Sequence, residues 1–108
     1  VRAAHPERAA AIADCVRSSE RRGLAVAVRS AMLDRPSLVA RLPSVRVPTL
    51  FITGGADSLY PVPLARVHAE AIPGARFEVI AGSAHQSGLE RPDEVNHLID
   101  DFIAGLAP

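Results

Sequence analysis

Apolar residues recur along the chain with three different spacings, and each spacing predicts a different kind of structure. From Ala3 to Leu42 the chain is rich in Ala and Arg with no strand-like alternation, so it reads as helical. Pro6 and Glu7 open a helix in which Ala9, Ile12, Val16 and Cys15 share a face, with Cys15 expected as a small buried apolar side chain. Gly23 is expected to cap its end before a second short helix from Leu24 to Leu33. Asp34 with Pro36 then signals a third helix, carrying Leu38, Val39 and Leu42 and stopped by Pro43. The series Leu24, Val28, Met32 fits ordinary helix packing and also the wall of a substrate tunnel.

From Val45 to Ile80 the pattern changes to strand, helix, strand. The β-branched and aromatic run Val47 to Thr53, bounded by Pro48 and by Gly54-Gly55, predicts a buried strand. Pro61 and Pro63 introduce a helix with Leu64, Val67, Ala71 and Ile72 at helical spacing, and Pro73-Gly74 turns the chain into a second strand, Ala75 to Ile80. This order forms a right-handed parallel unit. The last stretch, Ala81 to Pro108, is a Gly- and Ser-containing loop followed by a helix opened by Pro92. Its Val95, Leu98, Ile99, Phe102, Ile103 and Leu106 suit a face packed on the sheet.

Composition narrows the classes. A chain of 108 residues can bury one small core, so a single domain at most is expected. With 48% hydrophobic residues it is too apolar for a disordered tail, yet its longest aliphatic run, Leu24 to Val28, is far short of the ~18 residues of a membrane span. Twelve basic and twelve acidic residues cancel, every basic residue is Arg, and no cluster exceeds Arg21-Arg22, so neither nucleic acid nor a membrane is expected as a partner. The single Cys15 rules out an intrachain disulfide and suits a reducing compartment, here the cytoplasm. His5, His68 and His97 have no second ligand at metal-type spacing, and no metal is expected. The pairs Asp93-Glu94 and Asp100-Asp101 are expected to face solvent.

Chemistry enters through the loops. Parallel strands point the same way, so the loops that follow them emerge at one edge of the sheet, where ligands favour binding. Asp57 lies four residues past Thr53 and His85 five past Ile80, so two residues separated by 28 positions come together in space. A carboxylate there can accept from the imidazole Nδ1–H, fix the tautomer and leave Nε2 as a base. Taken singly, Asp57 also suits a turn or cap and His85 a loop histidine bonded to a carbonyl; their shared register is what joins them.

The residues that carry this register resemble the α/β-hydrolase family. Val47-Pro48-Thr49-Leu50-Phe51-Ile52-Thr53-Gly54-Gly55-Ala56-Asp57 resembles the family's penultimate strand and its G-x-x-D, and Pro61 with Ile72-Pro73-Gly74-Ala75 resembles the family's next segment. Gly82-Ser83-Ala84-His85 resembles the last strand's G-x-x-H, and Leu89-Glu90-Arg91-Pro92-Asp93-Glu94-Val95-Asn96 the opening of the terminal helix. Residues 5–42 resemble the end of the family's cap and the helix behind it. The resemblance implies that Asp57 is the triad acid and His85 the triad base, with no cofactor.

It also implies a departure. The family's nucleophile sits on a G-x-S-x-G elbow or a relative of it, and none of the serines here has glycines two positions before and after it. No nucleophile is therefore assigned within the chain; it is expected upstream of Val1, together with the missing amino-terminal part of the fold. The expected architecture is α/β: a carboxy-terminal part of a doubly wound sheet, as one incomplete domain, with a helical segment over 1–42 and a strand-helix-strand-helix unit over 43–108. Gly54 and Gly82 are expected to let the loops turn, and Glu90 to support the histidine loop. Leu59 and Tyr60 suit either a substrate pocket or core packing.

The function these features imply is hydrolysis of a small ester, lactone or related carbonyl substrate by a nucleophile, His85 and Asp57, with the 108-residue piece inactive alone. The alternative is a catalytically inert module that acts in protein-protein interaction. In either case the outer edge of the first strand is expected to be unpaired, so that the isolated piece self-associates.

Overall fold

The computed structural model describes residues 5–106; the head of the first helical stretch, 1–4, and the tail of the last, 107–108, lie outside the described residues. Where one incomplete domain is expected, the chain divides into two compact units, Val1–Leu38 and Val39–Pro108. The division falls slightly before the expected Leu42/Pro43 boundary, because the 3-10 turn over Val39–Ser44 belongs with the second unit.

The first unit holds helices α1 (Pro6–Ser18) and α2 (Arg21–Val28), followed by one wide turn over Arg29–Leu33. Pro6 starts α1 because its fixed φ suits the first helical position, where an N–H would have no partner. Gly23 does not cap the first helix. The Glu20 carboxylate accepts the N–H groups of Arg22 (2.8 Å) and Gly23 (2.6 Å), so α2 begins earlier and takes Gly23 into its first turn. The helix expected from Asp34 forms only as a 3-10 turn over Val39–Ser44, with Pro43 inside it rather than at its end. Asp34 instead closes the wide turn, its N–H donating to the Arg29 carbonyl at 2.8 Å and its carboxylate accepting from the Arg29 guanidinium at 2.7 Å. Neither α1 nor α2 buries a residue, and Cys15 is exposed, contrary to the expected buried position.

The second unit runs β1 (Leu50–Gly54), α3 (Val62–Glu70), β2 (Arg76–Ile80), α4 (Ser87–Glu90) and α5 (Pro92–Ala104). β1 and β2 are parallel, with Phe51 opposite Phe77, Thr53 opposite Val79 and Gly54 opposite Ile80. β1 begins at Leu50 rather than Val47. Pro48 has no N–H to give a ladder, and the Thr49 hydroxyl bonds back to the Val47 carbonyl at 3.0 Å. Among the described residues β1 pairs with β2 alone, so its other edge is open.

α3 packs on both strands, but not through the expected Leu64 and Val67, which are exposed. The buried positions are Ala65 and Ala69, one turn apart on the same face. Their small side chains let the helix backbone come close to the sheet, and the larger residues are left on its flanks. Ala71 and Ile72 follow in the turn, where Ile72 joins the core with Ile80. On α5, Val95, Leu98 and Phe102 are half-buried while Ile99 and Ile103, and Leu106 just past its end, are exposed, so the apolar stripe is wider than the surface that covers it. Among the described residues no helix is long and apolar enough to cross a membrane.

Candidate active site

The acid loop and the histidine loop are tied to each other by backbone hydrogen bonds before any side chain is considered. Gly55 N–H donates to the Ile80 carbonyl and Ala56 N–H to the Ser83 carbonyl, each at 2.8 Å. The loops also approach closely at Gly54, where a Cβ would lie 2.1 Å from the Ala84 carbonyl oxygen. Gly54 is therefore a close-approach glycine rather than a turn glycine. Gly82, with φ of +68°, supplies the left-handed turn that brings the chain out of β2.

Asp57 sits at the end of the first loop with its side chain buried. One carboxylate oxygen accepts the N–H groups of Leu59 (2.9 Å) and Tyr60 (3.0 Å), a local turn of the kind Asp favours. The other faces His85 Nδ1 at 2.8 Å. Burial pushes the Asp57 pKa up, but the Tyr60 N–H, the His85 ring, the Leu59 N–H and the charge the ring takes on protonation outweigh it, and the net shift is below the ordinary 3.8. At neutral pH Asp57 is thus an acceptor only. His85 Nδ1 must carry the proton, which leaves the Nε2 lone pair available as a base.

The two residues border a pocket of about 530 Å³ whose wall includes Ile52, Tyr60, Leu89 and Val95. Tyr60 is half-buried, stacked on Phe51 at 6.4 Å between ring centroids, and its hydroxyl pairs with His68 Nδ1. Burial raises the Tyr60 pKa. Leu59, which suits a pocket or the core by sequence, is exposed and gives its N–H to Asp57. Glu90 lies on α4 and accepts the Ala84 N–H at 2.8 Å. That bond lowers the Glu90 pKa below the ordinary 4.5 against the effect of burial. Neither α4 nor the Tyr60–His68 pair is legible in the sequence; the first is too short to show periodicity, and the second joins a loop to a helix.

A pH dependence follows with a definite sign. Asp57 and Glu90 both have folded pKa values below their ordinary ones, so their stabilisation is complete above pH 4.5 and is lost as the pH falls through the lower folded values. Amide-exchange protection at Tyr60 and Ala84 is expected to hold at neutral pH and to collapse only in acid. Loss of protection as the pH rises from 5 toward neutrality, where both groups are already ionised, counts against these assignments.

No protein-family model matches the chain. It is 36% identical over 77 residues to a pimeloyl-(acyl-carrier protein) methyl ester esterase of Xanthomonas oryzae, a match that spans 69% of this chain and 30% of that protein. Among solved structures it is similar to a thermophilic esterase from Thermogutta terrifontis, with a TM-score of 0.66 and 30% identity over 68% of this chain and 27% of that one. It is also similar to the enol-lactonase from Burkholderia xenovorans, with a TM-score of 0.62 and 32% identity over 67% of this chain and 27% of that one. The chain thus spans about a third or less of the length of the relatives it matches.

Proposed function

The chain carries part of the α/β-hydrolase fold, and on that premise we propose that the native polypeptide hydrolyses a small ester, lactone or related carbonyl compound, with His85 as general base and Asp57 as the carboxylate that orients it. The observation that carries this reading is the 2.8 Å bond between His85 Nδ1 and the buried Asp57 carboxylate, beside an open pocket at the carboxy-terminal edge of two parallel strands. A pocket of about 530 Å³ suits a small molecule.

In this mechanism His85 Nε2 takes the proton of a nucleophilic hydroxyl as its oxygen attacks the carbonyl carbon. It returns that proton to the leaving alkoxide, and then activates water to hydrolyse the acyl intermediate. No cofactor takes part. The nucleophile comes from outside residues 1–108. Ser87, the serine at the pocket wall, has its hydroxyl directed to the Ala84 carbonyl at 3.1 Å and lies two residues after the base.

The open edge of β1 favours a second reading, an inert module that docks on a partner through that edge. Labelling separates the two. Under the first, a fluorophosphonate marks one serine of the native polypeptide outside residues 1–108, and His85→Ala slows labelling by about 10²-fold or more. A native polypeptide that takes no label and does not hydrolyse p-nitrophenyl butyrate would sink the hydrolase reading and leave the docking one.

A further inference from the structure

His85 has a positioning problem that Asp57 alone does not solve. Its side chain is 51% exposed, so packing does not hold the ring, and the angle at which it meets Asp57 depends on the backbone that carries it. That backbone is gripped from α4. Ala84 N–H donates to Glu90 Oε2 at 2.8 Å, so the amide just before His85 is held by that carboxylate. The Ala84 carbonyl accepts from the Ser87 hydroxyl at 3.1 Å, and Ser87 Oγ in turn accepts from fully buried Ser83 at 3.1 Å. α4 closes onto the same segment, with the Leu89 and Glu90 N–H groups bonded to the Gln86 carbonyl at 2.8 and 2.9 Å.

We propose that Glu90 is a positioning residue for His85: by taking the Ala84 N–H that precedes it, the Glu90 carboxylate fixes the backbone from which the imidazole reaches Asp57. The inference rests on the reading of His85 as the base. Ionised carboxylates make the stronger hydrogen bonds to backbone amides, and a small displacement of a catalytic group is costly in rate. Glu90 touches neither substrate nor the reacting atoms, and acts through the loop.

Three substitutions in the native polypeptide separate reach from charge. Glu90→Ala removes the acceptor and is expected to lower kcat toward p-nitrophenyl butyrate by about 100-fold with KM little changed. Glu90→Gln keeps a carbonyl acceptor at the same reach and is expected to stay within about fivefold of the parent. Glu90→Asp keeps the charge, loses one methylene of reach, and is expected to resemble Glu90→Ala. The second readout is the nitrogen NMR spectrum of the His85 ring, in which the Nδ1–H bonded to Asp57 should be lost in the Ala and Asp variants and kept in the Gln variant. It reads the clamp whether or not the probe ester is turned over, and it reports only on folded molecules.

Parent-like kcat and an unchanged ring spectrum in Glu90→Ala overturn the proposal, and so does a Gln variant as impaired as the Ala one. If instead His85→Ala itself leaves turnover intact, the reading of His85 as the base fails, and the ring spectrum still decides whether Glu90 positions His85.

Discussion

His85→Ala in the native polypeptide is expected to lower kcat toward p-nitrophenyl butyrate by about 10⁴-fold, with KM and the melting temperature close to the parent's. The ring is half exposed and makes its one described side-chain hydrogen bond to Asp57, so its removal costs the fold little and the base everything. Asp57→Asn is expected to approach the same loss by a different route. Leu59 and Tyr60 donate to one carboxylate oxygen, so the Asn carbonyl takes that place and its NH₂ turns toward His85. Nδ1 must then accept, the proton moves to Nε2, and the base points its occupied nitrogen at the substrate. Kinetics of the two variants beside their thermal melts check this. Activity near the parent's in both would remove Asp57 and His85 from the mechanism.

Gly54→Ala is the substitution expected to damage the fold and the site together. The added Cβ would lie 2.1 Å from the Ala84 carbonyl oxygen and 2.5 Å from that of Ser83, both backbone atoms. Relief requires the histidine loop to move away from β1, against the bonds from Gly55 to Ile80 and from Ala56 to Ser83. A cost of about 3 kcal/mol in stability is expected, with a loss of about 100-fold in kcat among the molecules that remain folded. Gly105→Ala is the control: its Cβ would meet only atoms at 3.5 Å, and its φ of −72° suits alanine. Thermal melts and single-turnover rates report the two effects separately. A Gly54→Ala protein as stable and active as the Gly105→Ala control would mean that the loops are not packed as described.

The parts of the fold that the sequence revealed are those decided locally. Short β-branched runs ended by glycine, and prolines at helix starts, fix the order of elements without reference to the rest of the chain, and the matched offsets of Asp57 and His85 come from that order. What stayed hidden depends on partners distant in sequence. The start of β1 is set by where the ladder to β2 begins, so Val47 is left outside it. The inward face of α3 is chosen by how close the helix can approach, which favours Ala65 and Ala69 over the larger Leu64 and Val67 that hydrophobicity alone selects. In the site, Glu90 was legible as a support for the histidine loop, but not the Ala84 amide it holds, because a helix of α4's length leaves no periodic trace. The sequence leaves Leu59 open between a pocket and the core for a related reason: next to an Asp whose carboxylate collects the amides after it, the Leu59 N–H is engaged and its side chain is exposed.

The lacing of Gly55 and Ala56 to Ile80 and Ser83 gives the acid and the base a shared frame. Their separation is set by contacts within one strand pair and its two loops, while the helix between them supports that pair from one face through Ala65 and Ala69. Such a unit is modular in the engineer's sense: the paired strands, with the helix that covers them, can be moved onto another sheet without resetting the distance between carboxylate and imidazole. Variation can then accumulate around the pair while the geometry between carboxylate and imidazole is inherited intact.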